Sequence, residues 1–453
     1  MRGKAALLAA HLAVCAVAAA VAETGEYLFS GFLFIVLAFG EYLYYYRKKK
    51  KLLQLEAVFA LFWNGGMGLS AMKLSRLAGE WEPVTWLCLI LVYPAFLLGY
   101  EAAAAWERKR SVGKTVREGE SGAEDGSGKA NEGERTARRL LHCIYGVLFL
   151  SIACFLLEAA VLREVPLFSD KPHAYSYFHL SGVHYFTVSS IFVLPLSVIY
   201  RRVKGKLSRL EWLRLGLCSL MALAIPILCV SRFQLMLAVL LSVCVAVVCW
   251  PRIRLRYVFL VLVMLVPVYV GLTVARNHDV AYLNGIFEMK NEDMPIFITQ
   301  PYMYVANNYD NFNCLVRELP AHTLGLRQLF PVFALTGLKF LKPELVSFPI
   351  YITKTELTTV TLIYDAYYDF GLAGVLLFGL ILGMACKKVT ALQERGRNPV
   401  ALLFYAQIAM YLVFSFFTTW FSNPTTWFWL ALTGILYFYV GWIPGGRKSG
   451  PVN

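Results

Sequence analysis

Residues 201–256 read RRVKGKLSRLEWLRLGLCSLMALAIPILCVSRFQLMLAVLLSVCVAVVCWPRIRLR. Two apolar runs, 211–230 and 233–250, meet at Ser231-Arg232 with almost no turn between them. Arg201, Arg202, Lys204, Lys206, Arg209 and Arg214 cluster before the pair, and Arg252, Arg254 and Arg256 follow it. About 20 apolar residues suffice to cross the hydrocarbon core as a helix, and Lys and Arg collect in cytoplasmic loops. The stretch therefore reads as a helical hairpin with its ends inside and Ser231-Arg232 outside.

The same pattern runs through the chain. Apolar segments of spanning length fall at 5–22, 27–46, 53–72, 84–105, 140–161, 186–200, 211–230, 233–250, 257–275, 362–386, 399–418 and 426–443. The third is the weakest, because Trp63-Asn64-Gly65-Gly66 interrupts it. With both termini in the cytoplasm, the inner segments hold 31 of the 43 Lys and Arg. The 453 residues are 58% hydrophobic and only 16% charged, against about 25% charged in soluble domains. Mean hydropathy is +0.57. These values argue against a soluble enzyme and against general disorder. The net charge of +14 sits mostly in loops that orient helices, so it does not imply a nucleic-acid partner.

The expected architecture is an all-α polytopic membrane protein of about 12 transmembrane helices. Residues 1–106 hold the first four spans, 107–139 a disordered cytoplasmic linker, and 140–275 spans five to nine. Residues 276–361 form a long external loop between helices 9 and 10, and 362–453 the last three spans and a cytoplasmic tail. The linker assignment rests on Glu118–Gly133, a mixed-charge run rich in Gly, Ser and Glu without apolar periodicity. The first segment also reads as a signal peptide ending at Ala20-Val21-Ala22; an uncleaved span is the favoured reading. Nine of the ten Cys lie in or at the ends of apolar runs, so they read as small buried side chains. No disulfide and no metal site are expected. No internal repeat is evident, which weighs against a repeat-built transporter.

Chemistry is sought on the external face. Residues 276–355 carry seven basic and seven acidic side chains, a balance poorly suited to nucleic acid. Tyr302–Asn313 concentrates Tyr and Asn, which suits sugar hydroxyls and sugar faces, although interfacial Tyr is common without a ligand. Asn307, Asn308, Tyr309 and Arg327 are the glycan-binding candidates of this loop. Arg232 lies at the external end of a span, where a charge is costly unless it snorkels or faces a polar cavity. Its guanidinium would suit a phosphate headgroup, and Arg276 leaves the outer end of span nine. In TELTTVTLIYDAYYDFGLAG, residues 355–374, a helix would place Asp365 and Asp369 on one face. Asp369 reads equally as a helix cap, whereas Asp365 is a candidate general base. The histidines of the loop 162–185 do not have one-face metal spacing. No phosphate-binding glycine loop or serine-nucleophile elbow occurs.

Val165-Pro166-Leu167-Phe168-Ser169, Ser181-Gly182-Val183-His184-Tyr185, Ser231-Arg232, the Asn-rich Tyr304–Asn313 and Asp365-Ala366-Tyr367-Tyr368-Asp369-Phe370-Gly371-Leu372-Ala373-Gly374 follow one another along residues 140–440. In that order they resemble the Wzy-type oligosaccharide repeat-unit polymerases, the O-antigen and capsular polysaccharide polymerase family. The Tyr-x-Asp-Phe-Gly-x-x-Gly segment carries most of the likeness. The Arg-x10-Gly loops of some members are not matched, since Phe287 stands eleven residues after Arg276.

The resemblance implies a GT-C-like glycosyltransferase of the bacterial cytoplasmic (inner) membrane, with its active site on the external face. Its substrate would be an undecaprenyl-pyrophosphate-linked oligosaccharide, and it would need no metal, nucleotide or other cofactor. Arg232 and Arg276 would stabilise the pyrophosphate, while Asp365, Asp369 or His184 would accept the acceptor hydroxyl proton. A chain-length regulator and a flippase are the protein partners it implies. An O-antigen ligase and a polyprenyl-glycan or solute transporter are the rival readings.

Overall fold

The computed structural model describes residues 2–115, 126–171, 174–250 and 280–441. Among the described residues no strand forms, and a single antiparallel bridge joins Ser75 to Met289. The described residues form an all-helical protein. Helices stand at eleven of the twelve expected spans; the other, 257–275, lies outside the described residues. In chain order they begin with α1 (Arg2–Glu23), α2 (Tyr27–Lys49), α3 (Leu55–Ala71), α4 (Pro83–Thr115) and α5 (Gly126–Leu162). There follow α6 (His184–Lys204), α7 (Arg209–Leu228) and α8 (Arg232–Cys249). The last third holds α9 (Val280–Phe287), α10 (Ile296–Glu318), α11 (Tyr364–Glu394), α12 (Ala401–Val413) and α13 (Pro424–Gly441). Among the described residues eight helices are long and apolar enough to cross a membrane, as a multi-pass membrane protein requires. The 17-residue α3 and the 13-residue α12 are shorter than a span.

One expectation needs correction. The stretch 107–139 is not a disordered linker throughout: α4 runs on to Thr115 and α5 starts at Gly126, leaving only 116–125 outside the described residues. Extending an existing helix costs far less than nucleating one, and Glu107, Arg108, Lys109, Glu132, Glu134 and Arg135 are good helix formers. The segment 276–361 contains the largely buried 23-residue α10.

Contacts divide the described chain into two units. The first comprises α1–α4, α9, α10, most of α11 and residues 407–427. Helices α4 and α11 cross at Gly99 and Gly383. A Cβ on either would lie 1.9 Å from a carbonyl oxygen of the other helix, so only glycine permits this approach. A buried polar cluster ties α1, α2 and α3: His11 Nδ1 lies 2.9 Å from Glu41 Oε1, and Asn64 Nδ2 donates to Glu41 Oε2 at 2.7 Å. The ends of this unit sort into two sets. Lys4–Glu101, Lys49–Glu56 and Lys387–Glu107 join segments expected on one side. At the other end, Arg76 N–H donates to Glu288 O and Lys290 N–H to Leu74 O, with Leu74 N–H bonded to the Tyr302 hydroxyl. Helix α10 packs on α3, where the Tyr309 hydroxyl donates to Trp63 O at 2.9 Å.

The second unit comprises α5–α8 with residues 392–406 and 428–441. A capping box starts α7: Ser208 Oγ accepts from Glu211 N–H while the Glu211 carboxylate accepts from Ser208 N–H. Arg201 sits over the rings of Trp212 and Trp250 at 4.8 and 5.2 Å. At the opposite end of α5, Phe155, Phe178, Ile225 and Cys229 form an apolar cluster. The turn into α8 forces Val230 to φ +52°, and Ser231 N–H bonds back to Pro226 O.

Candidate active site

The segment Tyr364–Asp369 is helical, so Asp365 and Asp369 lie one turn apart and both are buried. The helix then breaks at Phe370 (φ −140°) and Gly371 (φ +61°). Only glycine takes that positive φ without strain. A Cβ there would also press on His322 Nε2 at 3.0 Å.

The two carboxylates do different work. Asp369 has no exposure at all. Its Oδ1 accepts from the Thr323 hydroxyl and from Arg327 N–H at 3.1 Å, and its Oδ2 from Gln328 N–H at 2.9 Å. Asp369 thus anchors the turn 323–328. It caps that turn rather than its own span, with two bonds on Oδ1 and one on Oδ2.

The anchored turn presents Arg327. Its Nε donates to Asp365 Oδ1 at 2.8 Å, Nη2 lies 2.7 Å from the same oxygen, and the guanidinium rests 5.0 Å from the Tyr368 ring centroid. Among the described residues Asp365 Oδ2 has no hydrogen-bond partner within the chain. Asp365 and Arg327 line a cavity of about 300 Å³ whose wall also includes Phe348, Thr419, Ser422 and Asn423. The cavity therefore offers an oxygen acceptor, a cation and neutral hydroxyl and amide groups together.

The other expected site residues are distributed differently. Asn307, Asn308 and Tyr309 are buried, with their polar groups engaged inside the protein. Asn307 bonds Asn311 and the Thr353 hydroxyl, Asn308 bonds Tyr304 O and the Thr359 hydroxyl, and Tyr309 bonds Trp63 O. These bonds, to Asn311, Thr353, Thr359 and the carbonyls of Tyr304 and Trp63, give the three a structural place in the packing of α10. Neighbouring Asp310 is buried against Trp81 Nε1 at 2.8 Å. Burial pushes its carboxyl up to about 6, against the opposing pull of Lys73, Trp81 and Ser70. Arg327, expected at the glycan, is instead the partner of Asp365. Arg276 lies outside the described residues. Arg232 is buried at the first position of α8, in the second unit.

His184, also in the second unit, is 28% exposed at its side chain. Its Nδ1 lies 3.1 Å from Oε1 of Glu158, a fully buried acid of α5 that also accepts from Leu180 N–H and the Thr187 hydroxyl. The His179 and His184 rings are 6.2 Å apart. Among the described residues no three His, Cys, Asp or Glu side chains cluster for a metal ion.

Sequence reading missed Glu158, Thr419, Ser422 and Asn423, together with the His11–Glu41–Asn64 cluster. For Glu158, His11 and Glu41 the signal was present, as ionisable residues inside apolar runs. Thr418-Thr419 and Ser422-Asn423-Pro424 mark a polar break before the final span. Comparison of the chain with family models, with curated proteins and with solved structures finds no match.

Proposed function

We propose that the chain is a GT-C-like membrane glycosyltransferase of twelve spans that polymerises polyprenyl-pyrophosphate-linked oligosaccharide repeat units. It works on the outer face of the bacterial cytoplasmic membrane, with both termini inside. The observation that carries this reading is the Asp365–Arg327 pair lining a cavity at the most specific motif of the resemblance. The sorting of the first unit's ends by expected side supports the topology.

The acceptor hydroxyl oxygen attacks the anomeric carbon of the donor sugar, and the bond from that carbon to the pyrophosphate oxygen breaks with its electron pair. Asp365, through Oδ2, takes the hydroxyl proton. The charge left on the pyrophosphate is met by Arg327, which the sequence offered as a glycan-binding candidate and which sits beside the acid, with a fork that suits phosphate oxygens. The leaving group is already activated, so the step requires no nucleotide. A second reading puts the proton acceptor at His184, whose Nδ1 lies 3.1 Å from Glu158; in the neutral tautomer that carries its proton on Nδ1, Nε2 would be the accepting atom.

Cells carrying Asp365→Asn should express and insert the protein normally yet make no long-chain polymer, while single repeat units still reach their final acceptor. Loss of every attached repeat would instead indicate a ligase. Full-length polymer from Asp365→Asn and none from His184→Gln would move the base to His184.

A further inference from the structure

Another cavity of the first unit, about 560 Å³, shares no wall residue with the Asp365 cavity. Its wall carries Arg76, Asn284, Glu288 and Glu292, with Met289 and Met294 as apolar surface. We propose that this cavity binds uncharged oligosaccharide as a glycan subsite; that the sugar belongs to a repeat unit rests on the glycosyltransferase reading above.

The cavity is built rather than incidental. Arg76 N–H donates to Glu288 O and Lys290 N–H to Leu74 O, while the Ser75 hydroxyl donates to Phe287 O at 2.7 Å. These bonds clasp two turns from distant parts of the chain. Glu288 is held at φ +45°, an uncommon conformation for a residue with a side chain. Lys354 Nζ fixes its carboxylate at 2.7 Å and also reaches Gly285 O. On the same wall Arg76 Nη2 meets Glu292 Oε1 at 2.9 Å, and both side chains are exposed.

The chemistry selects among ligand classes. Each charge here already faces its opposite, Glu288 with Lys354 and Glu292 with Arg76, so the wall has no net charge to draw in a phosphate group or a cation. A neutral, hydroxyl-rich molecule meets alternating donors and acceptors instead, from guanidinium, amide and carboxylate. The methionine side chains offer adaptable contact to sugar C–H faces. The volume lies within the range of about 300–1,000 Å³ typical of ligand sites. Helix α9 borders the cavity through Asn284 and Gly285.

The test uses the full chain in lipid nanodiscs. The probe is fluorescently labelled oligosaccharide released by mild acid from the polyprenyl-linked glycans of the source cells, followed by fluorescence anisotropy. The unmodified protein should bind saturably. Asn284→Ala and Glu292→Ala, both at exposed positions, should each weaken binding at least tenfold with unchanged thermal stability. Unchanged affinity in these two variants, or no saturable binding by the unmodified protein, overturns the proposal. Polymerisation that persists alongside either result would remove the subsite and leave the glycosyltransferase reading standing.

Discussion

Asp365 and Asp369 are one helical turn apart and chemically alike, yet their neighbours give them separate tasks. Asp369 holds a turn together through two backbone N–H groups and a hydroxyl. Its removal would strand those donors, each buried unmade bond costing about 1–3 kcal/mol. Asp369→Ala should therefore lower the melting temperature of the purified protein markedly, while Asp369→Asn, which keeps one acceptor oxygen, should lower it less. Equal melting of the two variants and the parent would show that the turn does not depend on this carboxylate. The one-face placement of the two acids was legible in the sequence from their spacing. Their division of labour was not, because it depends on a turn some forty residues upstream and on a break that only Gly371 permits.

Helix α10 is the element that the sequence described least well. Its Asn and Tyr side chains read as a ligand surface, because composition does not reveal which hydrogen bonds close inside the protein. The structure spends them on α3, on residues 353–359 and on one another. Asp310 is locked into the same interface, and its carboxyl is pushed up to about 6 by burial from an ordinary value of 3.8. The folded state then binds the proton more tightly than the unfolded state, so stability from this group is full below about pH 4 and is lost as pH rises through about 6. Thermal unfolding followed across pH 4 to 7 should show this decline, and Asp310→Asn should abolish that part of it. An identical pH dependence in the variant would mean that Asp310 does not govern it. The linker shows the converse error: its flanks in α4 and α5 lack apolar periodicity yet stay helical, because they extend helices already formed.

For the molecule as a whole, alternating basic clusters and apolar runs made the all-helical, multi-pass class legible before any coordinates. The cavities were not legible, since each gathers residues from turns far apart in the chain, such as Arg76 with Glu292 or Arg327 with Thr419. The proposed topology places residues 352–358 outside and 205–208 inside. All ten cysteines are free and none is exposed; only Cys154 is partly accessible. A membrane-impermeant maleimide added to intact spheroplasts should therefore label Glu356→Cys strongly and Lys206→Cys only after lysis; the reverse pattern would invert the topology. The central claim is the glycosyl transfer itself. Purified protein in nanodiscs, given a polyprenyl-pyrophosphate-linked repeat unit and no nucleotide, should produce a ladder of products spaced by one repeat unit, and Asp365→Asn should produce none. No ladder from folded protein, or an undiminished ladder from Asp365→Asn, would contradict the account.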